Sequence, residues 1–559
     1  MDQFKLHIIE KVIDETGPEG IDESMLEVPP DPKLGDYAFP CFVLSKRLKR
    51  PPQKIAEWLK TKIASDEVIE RVENNGPYLN FFVKKAQLAE TTLKEVAEKK
   101  DKYGSCNIGN KGKVVIDFSS PNIAKPFGIG HLRSTVIGNS IYRIHNFVGY
   151  ESFGVNHIGD WGTQFGKMIV AYKSWGDDKE LKKHPITHLF NIYVKFHEEA
   201  KIRPELEDEA RAWFKRLEDG DKEALTLWEL FKTLSLEEFR RYYKELDIKF
   251  DSWAGESFYI DKMEAVVQKI KKKNLITLSE GALVIEVGEG MPPAIIKKSD
   301  GATTYFTRDI TAALYRLHEY KPAKLIYVVG SPQKQHFQQL FKVLEMMGER
   351  KCDMVHVDFG HYLGMKTREG NIIFLEEVLD KAVELAKKII KEKNPDLAKK
   401  DEVAKMVGIG AIIFGDLVND RIRDVEFSWD KMLSFEGETG PYVQYAHARI
   451  CSILRKYGKE VDANVDYSLL VEENEKELIK ELHRFKQVVV DAAEQYRPST
   501  IAKYLISLGQ TFNSFYDVCP VLKAGNDELV RARILMCDAT RQVMANGLWL
   551  LGMKAPDEM

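Results

Sequence analysis

The spacing of hydrophobic residues divides the chain into three regions with different predicted structure. Up to about residue 105, amphipathic runs at 4–13 and 55–63 alternate with turn-rich segments, and YLNFFV at 78–83 is typical of a short buried strand. Between residues 113 and 371, apolar β-branched runs alternate with helical patterns; beyond 371 the pattern is almost entirely helical. The expected fold class is α/β, with a parallel-sheet central domain, an N-terminal α/β domain and an all-α C-terminal domain.

The central region begins with VVIDF at 114–118, a continuous apolar run of the kind found in parallel strands buried on both faces. Strand and helix patterns then alternate, which predicts crossover units and a parallel sheet. The predicted elements are a helix at 129–147, a strand at 152–156, a helix at 163–172, a charged helical insertion at 177–249, strands that resume the sheet at 283–287, 294–298 and 325–329, and helices from 307 and at 333–348.

Beyond residue 371, six segments carry an apolar stripe with the 3.6-residue period of a helix. These segments are 375–391, 403–417, 443–456, 475–493, 501–516 and 529–551. They predict a C-terminal helical domain.

Composition narrows the class of protein. The chain has 559 residues, 44% hydrophobic and 30% charged, as expected of a globular protein with three or four domains. No apolar run is long enough to span a membrane, and the acidic N-terminus lacks the features of a signal peptide. Six widely spaced cysteines suit a reducing compartment, so we expect a cytoplasmic protein without a membrane partner. A net charge of −4 neither indicates nor excludes binding to nucleic acid.

The loop after the first central strand is the strongest candidate for a binding site. Gly128 and Gly130 open the predicted helix, so backbone N–H groups and the helix dipole are available to an anion. His131 and Lys125 are placed to reach the same phosphate. An ordinary helix start would explain the glycines equally well, and no GxxxxGK[ST] motif is present.

The same segment, SSPNIAKPFGIGHLRST (119–135), resembles the signature of class I aminoacyl-tRNA synthetases, and of the arginyl enzymes in particular. Similar matches follow in the family's order from about residue 30 to the end. They are NHIGDWGTQFGKMI (156–169), KSDGATTYFTRDITAALYR (298–316), HFQQLF (336–341), FEGETGPYVQYAHARI (435–450), NSFYDVCPVL (513–522) and LLGMKAPDEM (550–559).

The resemblance implies a domain order and a reaction. The domains would be a tRNA-elbow-binding domain at 1–108, a Rossmann-like catalytic domain at 109–375 with its insertion at about 177–250, a linker contacting the tRNA stem at 376–435, and an anticodon-binding domain at 436–559. Arginine and ATP, with Mg²⁺ as the usual counter-ion of the phosphates, would form arginyl-adenylate. The arginyl group would then pass to its tRNA. This chemistry needs positioning and cationic groups but no nucleophilic side chain. We expect a monomer without metal-ligating residues.

For ATP, the resemblance implies that His131 is the second histidine of the HIGH motif and that Gly130 lies beneath the adenine. Gly128 stands where the first histidine would be. GMKTREG (364–370) stands in place of the KMSKS motif, with Gly364 at the first lysine and Thr367 at the second.

Lys125 is the residue thought to compensate for that second lysine in arginyl enzymes. The implied catalytic groups are Lys125, His131, Lys366 and Arg368; Gly128, Gly130, His131 and Met365 would bind ATP.

Arginine recognition needs partners for a planar guanidinium, preferably carboxylates. Tyr305 and Asp309 are four residues apart at a predicted helix start and hence on one face. Without the family, a helix N-terminus that favours an aspartate would explain Asp309. With it, Asp309 pairs with the guanidinium beside Tyr305. The other residues implied to bind arginine are Asn122, His157, Asp160, Gln164, Glu256 and Gln333.

For tRNA, Tyr442, Tyr445 and Arg449 share one helix face, and loop bases stack on such groups. An aromatic stripe of this kind is also typical of a core. The resemblance implies further tRNA contacts at Tyr78, Asn80, Tyr516 and Met559.

Two alternatives remain at this stage. The chain could be another class I synthetase or a related nucleotidylyltransferase, because fold alone does not separate these activities. It could also be a non-catalytic RNA-binding paralogue, since Gly128 and Gly364 are what decay of an ATP site would leave.

Overall fold

The computed structural model describes residues 2–29, 31–288, 290–363 and 374–559. Their contacts divide the chain into two compact units. The first comprises the N-terminal segment up to Cys106 together with Arg449–Lys486 and Ser507–Met544. The second comprises Asn107–Ala448, Gln487–Ile506 and Ala545–Met559. The predicted linker at 376–435 thus lies in the same unit as the central sheet, and the region at 436–559 contributes to both units.

The N-terminal part of the first unit contains an antiparallel sheet in the order β1-β3-β2. Its central strand is the predicted YLNFFV strand, and Leu79 and Phe81 are completely buried in it. The elements are α1 (Gln3–Thr16), β1 (Tyr37–Pro40), α2 (Phe42–Leu48), α3 (Pro52–Lys62), β2 (Ile69–Asn75), β3 (Tyr78–Val83) and α4 (Lys85–Lys99).

The second unit begins with β4 and contains the remaining strands. The elements up to the end of the predicted insertion are β4 (Lys113–Asp117), α5 (Ile129–Phe147), β5 (Glu151–Val155), α6 (Gln164–Trp175), α7 (Asp178–Lys183), α8 (Pro185–Ile202), α9 (Glu205–Glu218) and α10 (Lys222–Glu245). The charged segment at 177–249, predicted to be helical, consists of four helices, α7 to α10.

The elements that follow the insertion run from α11 to α16. They are α11 (Ile260–Lys272), β6 (Thr277–Ser279), β7 (Ala282–Ile285), β8 (Ala294–Lys297), α12 (Tyr305–Glu319), β9 (Lys324–Val328), α13 (Lys334–Met346), β10 (Asp353–Val357), β11 (Tyr362–Leu363), α14 (Leu375–Lys393), α15 (Lys400–Leu417), β12 (Val425–Glu426) and α16 (Trp429–Met432).

The central sheet is parallel throughout, in the order β10-β9-β4-β5. Its strands are joined by helical crossovers, so the predicted α/β architecture is confirmed. The core on one side includes Val115, Leu325, Ile310 and Leu340, all with no exposed surface. The carboxyl ends of β4 and β9, where parallel sheets of this type bind ligands, lie side by side.

The prediction that 283–287 and 294–298 resume the parallel sheet was wrong. These residues form β7 and β8, which pair antiparallel with each other, and with β6, in a separate three-stranded sheet. The physical reason is the connection between them. Residues 286–293 are too few for the crossover that neighbouring parallel strands require.

The C-terminal helices confirm the predicted helical pattern. They are α17 (Gly440–Tyr457), α18 (Glu473–Glu494), α19 (Pro498–Val518) and α20 (Asp527–Leu550). In the part of the chain that the structure describes, no helix has the length and apolarity to cross a membrane. Four of the six cysteines, Cys41, Cys451, Cys519 and Cys537, are buried, as expected of small apolar side chains.

Candidate active site

The loop between β4 and α5 has an unusual backbone. Ser119, Ser120 and Ala124 adopt left-handed conformations, with φ of 71°, 48° and 57°. Non-glycine residues rarely do so, and such strain persists only where surrounding contacts fix it. The Ser119 amide donates to Ser134 Oγ at 2.9 Å, and the Ser119 hydroxyl lies 2.7 Å from those of Thr135 and Tyr243. The loop is thus held rigidly against helix α5.

The start of α5 leaves room for a ligand. Gly128 is the N-cap residue and makes no side-chain cap. A Cβ added at Gly130 would meet nothing within 4 Å, and Gly130 is exposed. The first N–H groups of α5 and this open space are what a nucleotide bound at a helix N-terminus requires.

His131 lies half-buried in the first turn of α5. Its ring packs 5.4 Å from the Phe127 ring, and its Nδ1 is buried without a hydrogen-bond partner among the described residues. Burial lowers the pKa of His131, and the Lys125 ammonium lowers it further. The imidazole is therefore neutral at pH 7 in the absence of a ligand, and an anion bound here would favour its protonated form.

Lys125 faces a residue of the helical insertion. Its ammonium lies 5.6 Å from the centre of the Tyr193 ring on α8, which is a cation–π distance. The predicted residues Met365, Lys366 and Arg368, with Gly364 and Thr367, lie outside the described residues.

The loop after β5 closely approaches the loop between β4 and α5 (118–128, the signature loop). Asn122 pairs with Gly159 as a parallel bridge, and a Cβ at Gly159 would lie 2.0 Å from Asn122 Oδ1. A larger residue at 159 would displace the Asn122 side-chain amide. His157 Nδ1 lies 3.2 Å from the Ala254 carbonyl, and burial lowers the His157 pKa. Asn122 is exposed and His157 is half-buried, and their assignment to arginine stays a prediction.

Asp160 is completely buried, and its carboxylate is fully engaged. It accepts from the Ser257 amide at 2.8 Å and the Ser257 hydroxyl at 2.6 Å, and it lies 3.1 Å from Lys232 Nζ. Asp160 thereby anchors the segment that carries Glu256. Gln164 donates from Nε2 to the Trp161 carbonyl at 3.2 Å, so it too makes a local contact.

Glu256 forms an ion pair with Arg308, with Oε2 and Nη1 2.9 Å apart and the side chains 14% and 10% exposed. Burial raises the pKa of Glu256 to about 7, although the Arg308 guanidinium acts in the opposite direction. Arg308 also lies 5.0 Å from the centre of the Tyr305 ring. Sequence reasoning missed Arg308, which is adjacent to Asp309 in the TRD of the quoted motif.

Tyr305 and Asp309 occupy the first two turns of α12, as predicted. The Tyr305 side chain is 58% exposed, and Asp309 Oδ2 lies 2.7 Å from His336 Nε2 on α13. His336 was also missed, although it begins the quoted HFQQLF segment. Gln333 is exposed immediately before α13. Two carboxylates and a tyrosine thus lie at one end of α12, and carboxylates are the preferred partners of a guanidinium.

The residues predicted to bind tRNA at the N-terminal end have different exposures. Tyr78 is half-buried at the start of β3, with its ring 5.7 Å from the exposed Phe42 ring in an edge-on arrangement. Asn80 is only 4% exposed. The pair of Tyr78 and Phe42 is the more accessible part of this surface.

Of the predicted anticodon-contacting residues, two lie in direct contact. The Arg449 guanidinium lies 4.7 Å from the centre of the Tyr516 ring, and its Nη1 donates to Asn513 Oδ1 at 3.2 Å. An arginine stacked on an aromatic ring is a common platform for bases.

The other three predicted tRNA contacts belong to the second compact unit. On α17, Tyr442 is half-buried and Tyr445 is 46% exposed. The Met559 side chain packs against the core of α14 and α15, and its carbonyl accepts from Asn394 at 3.1 Å.

Three family models match the chain in its sequence order. The arginyl tRNA synthetase N terminal domain matches residues 4–83, the catalytic domain of class I tRNA synthetases (R) matches 92–429, and the DALR anticodon binding domain matches 443–559.

Relatives and solved structures agree with these matches. The chain is 48% identical to an arginine–tRNA ligase of Clostridioides difficile over the full length of both, and 51% identical to one of Clostridium botulinum over 96% of each. The arginyl-tRNA synthetase structure of Thermus thermophilus has a TM-score of 0.85 at 27% identity, covering 99% of this chain and all of the other. That of Plasmodium falciparum has a TM-score of 0.82 at 28% identity, covering 100% and 98%. The chain therefore belongs to the arginyl-tRNA synthetase family of class I tRNA synthetases.

Proposed function

We propose that this protein ligates L-arginine to its cognate tRNA through an arginyl-adenylate, consuming ATP and releasing AMP and pyrophosphate. One observation carries the proposal at the level of the site. A loop with an open helix start, the Lys125 ammonium and the His131 imidazole lies in the same unit as a helix end flanked by Glu256 and Asp309. The first feature suits a nucleotide, and the second suits a cationic side chain.

In the first step the arginine carboxylate attacks the α-phosphate of ATP, and pyrophosphate leaves. Lys125, His131 and the N–H groups of α5 stabilise the phosphate charge, while Gly130 leaves room for the adenine. We also assign Lys366 and Arg368 to the phosphates of ATP, and Met365 to ATP binding. No side-chain nucleophile takes part.

Mg²⁺ would enter this site with ATP. The described side chains assigned to the phosphates, Lys125 and His131, are nitrogen groups, whereas Mg²⁺ prefers oxygen ligands. The phosphate oxygens themselves would therefore hold the ion, and its chemistry would be to neutralise their charge.

The guanidinium of arginine would lie between Asp309 and Glu256 beside Tyr305, with Gln333, His157 and Asn122 as further partners. Asp160 and Gln164 would support these groups. The ureido group of the neutral analogue citrulline carries no charge to pair with these carboxylates, so citrulline should be rejected strongly.

In the second step the tRNA receives the arginyl group. Tyr442, Tyr445, Arg449, Tyr516 and Met559 are assigned to the anticodon end. Tyr78 and Asn80 are assigned to the elbow.

Arginine-dependent exchange of labelled pyrophosphate into ATP, run with and without tRNA, tests the proposal. We expect exchange with arginine, none above background with citrulline, and dependence on tRNA. A chain that binds tRNA but supports no exchange under any condition would be the non-catalytic paralogue. Sedimentation and cell fractionation check the expected monomer in the cytoplasm.

A further inference from the structure

Asp117, which sequence reasoning did not single out, lies at the carboxyl end of β4 and is 5% exposed. Its Oδ2 is 2.8 Å from Arg316 Nη1, and Arg316 is 1% exposed. Arg316 belongs to α12, the helix that begins with Tyr305 and carries Asp309. Asp117 therefore connects the first strand of the catalytic sheet to the helix assigned to arginine.

The other carboxylate oxygen of Asp117 holds the signature loop. Oδ1 accepts from the Ser120 hydroxyl at 2.8 Å, and Ser120 is one of the residues in a left-handed conformation. The Ser120 Oγ also accepts from the His157 amide at 3.2 Å, and the Ser120 amide donates to Asn156 Oδ1 at 3.1 Å. One carboxylate thus links three segments: α12, the strained loop and the loop after β5.

This arrangement restricts how α12 can move relative to the nucleotide loop. A buried ion pair contributes little net stability compared with an apolar pair, but breaking it leaves an uncompensated buried charge. Because separating Asp117 from Arg316 is costly, the ion pair keeps α12 at a fixed distance from the end of β4. Because in-line attack depends on the two reactants being aligned to within about 1 Å, a shift of α12 against the loop would slow the chemistry more than it weakens binding.

We propose that Asp117, Arg316 and Ser120 are positioning residues that hold bound arginine in line with the α-phosphate of ATP. The inference rests on the proposed function and extends it to residues without a direct substrate contact. Its signature is a reduced kcat for adenylate formation with nearly unchanged KM values for both substrates.

The test compares Asp117→Asn and Ser120→Ala with the wild-type chain in arginine-dependent pyrophosphate exchange with tRNA, normalised to folded protein. Asp117→Asn keeps the shape of the side chain but removes its charge. We expect kcat to fall at least about tenfold, with both KM values within about threefold. Ser120→Ala, which removes a single hydroxyl, should lower kcat in the same direction by a smaller factor.

The matched control is Glu475→Gln. Glu475 forms an equally buried ion pair with Arg533, with 2.7 Å between Oε1 and Nε, in the other compact unit. The Glu475→Gln variant should be less stable than the wild-type chain but should have the same kcat per folded molecule. If Asp117→Asn does not fold, Ser120→Ala decides the question alone.

Wild-type kcat in the folded variants, or a loss that appears only in KM, would overturn the inference. Absence of exchange by the wild-type chain would instead overturn the proposed function, so the two failures are distinguishable.

Discussion

At the scale of the residue, the raised pKa of Glu256 predicts that recognition of arginine depends on pH. Burial raises its pKa to about 7, so its carboxylate is protonated below that pH and ionised above it. Only the ionised carboxylate pairs fully with a guanidinium. The kcat/KM for arginine should therefore rise between pH 6 and pH 8, and arginine-dependent pyrophosphate exchange measures this rise. Glu256→Gln should remove this rise and lower kcat/KM about 10- to 100-fold. Glu264→Gln, a variant of an exposed acid on α11, should retain the wild-type profile.

Lys125 provides the second prediction at this scale. If its ammonium leaves the Tyr193 ring to neutralise phosphate charge, Lys125→Ala should lower arginine-dependent pyrophosphate exchange at least about tenfold. Lys167 is a suitable control because its ammonium lies 5.8 Å from the Phe196 ring of the same helix α8. Lys167→Ala should exchange at a rate close to wild type. Equal rates for the two variants would remove Lys125 from the mechanism.

At the scale of the element, helix α5 is attached to α15 by a fully buried ion pair. Arg133 Nε lies 3.0 Å from Asp416 Oδ2, and both side chains are 1% exposed. Asp416→Ala should lower stability by about 3–5 kcal/mol, because it leaves the Arg133 charge buried and unpaired. The double variant Arg133→Met/Asp416→Leu should recover much of that loss. Urea unfolding followed by circular dichroism checks both; a double variant as unstable as the single one would contradict this account.

Individual strands and helices could be predicted from the sequence, but their partners could not. VVIDF was identified as a parallel strand because its apolar run is continuous, and α12 was located by its motif and helical spacing. The pairing of β7 and β8 was missed because an apolar run does not specify its partner strand. The ion pairs Arg308–Glu256 and Arg316–Asp117 join segments far apart in the chain, so no local pattern indicates them. Likewise, only the fold places Asn80 in a buried position.

At the scale of the whole molecule, tRNA binding by residues of the first unit should be separable from the chemistry assigned to the second unit. Arg449→Ala and Tyr516→Ala should each raise KM for tRNA about 5- to 100-fold, since base stacking contributes ~1–3 kcal/mol per base. The aminoacylation kcat at saturating tRNA should stay near wild type. Lys523→Ala, which removes an exposed cation of the same unit, should change KM much less. An unchanged KM for tRNA in both Arg449→Ala and Tyr516→Ala would contradict the anticodon assignment.

The pairing of Arg308 with Glu256 has a practical consequence for the choice of denaturant. Arg308 pairs with Glu256 through its guanidinium group. The proposed substrate, arginine, carries the same group, and guanidine hydrochloride releases the free guanidinium ion in solution. Millimolar guanidinium should therefore inhibit the reaction competitively with the amino acid, far below the concentrations that unfold the chain. Inactivation curves recorded in that salt would report occupancy of a pocket rather than loss of structure.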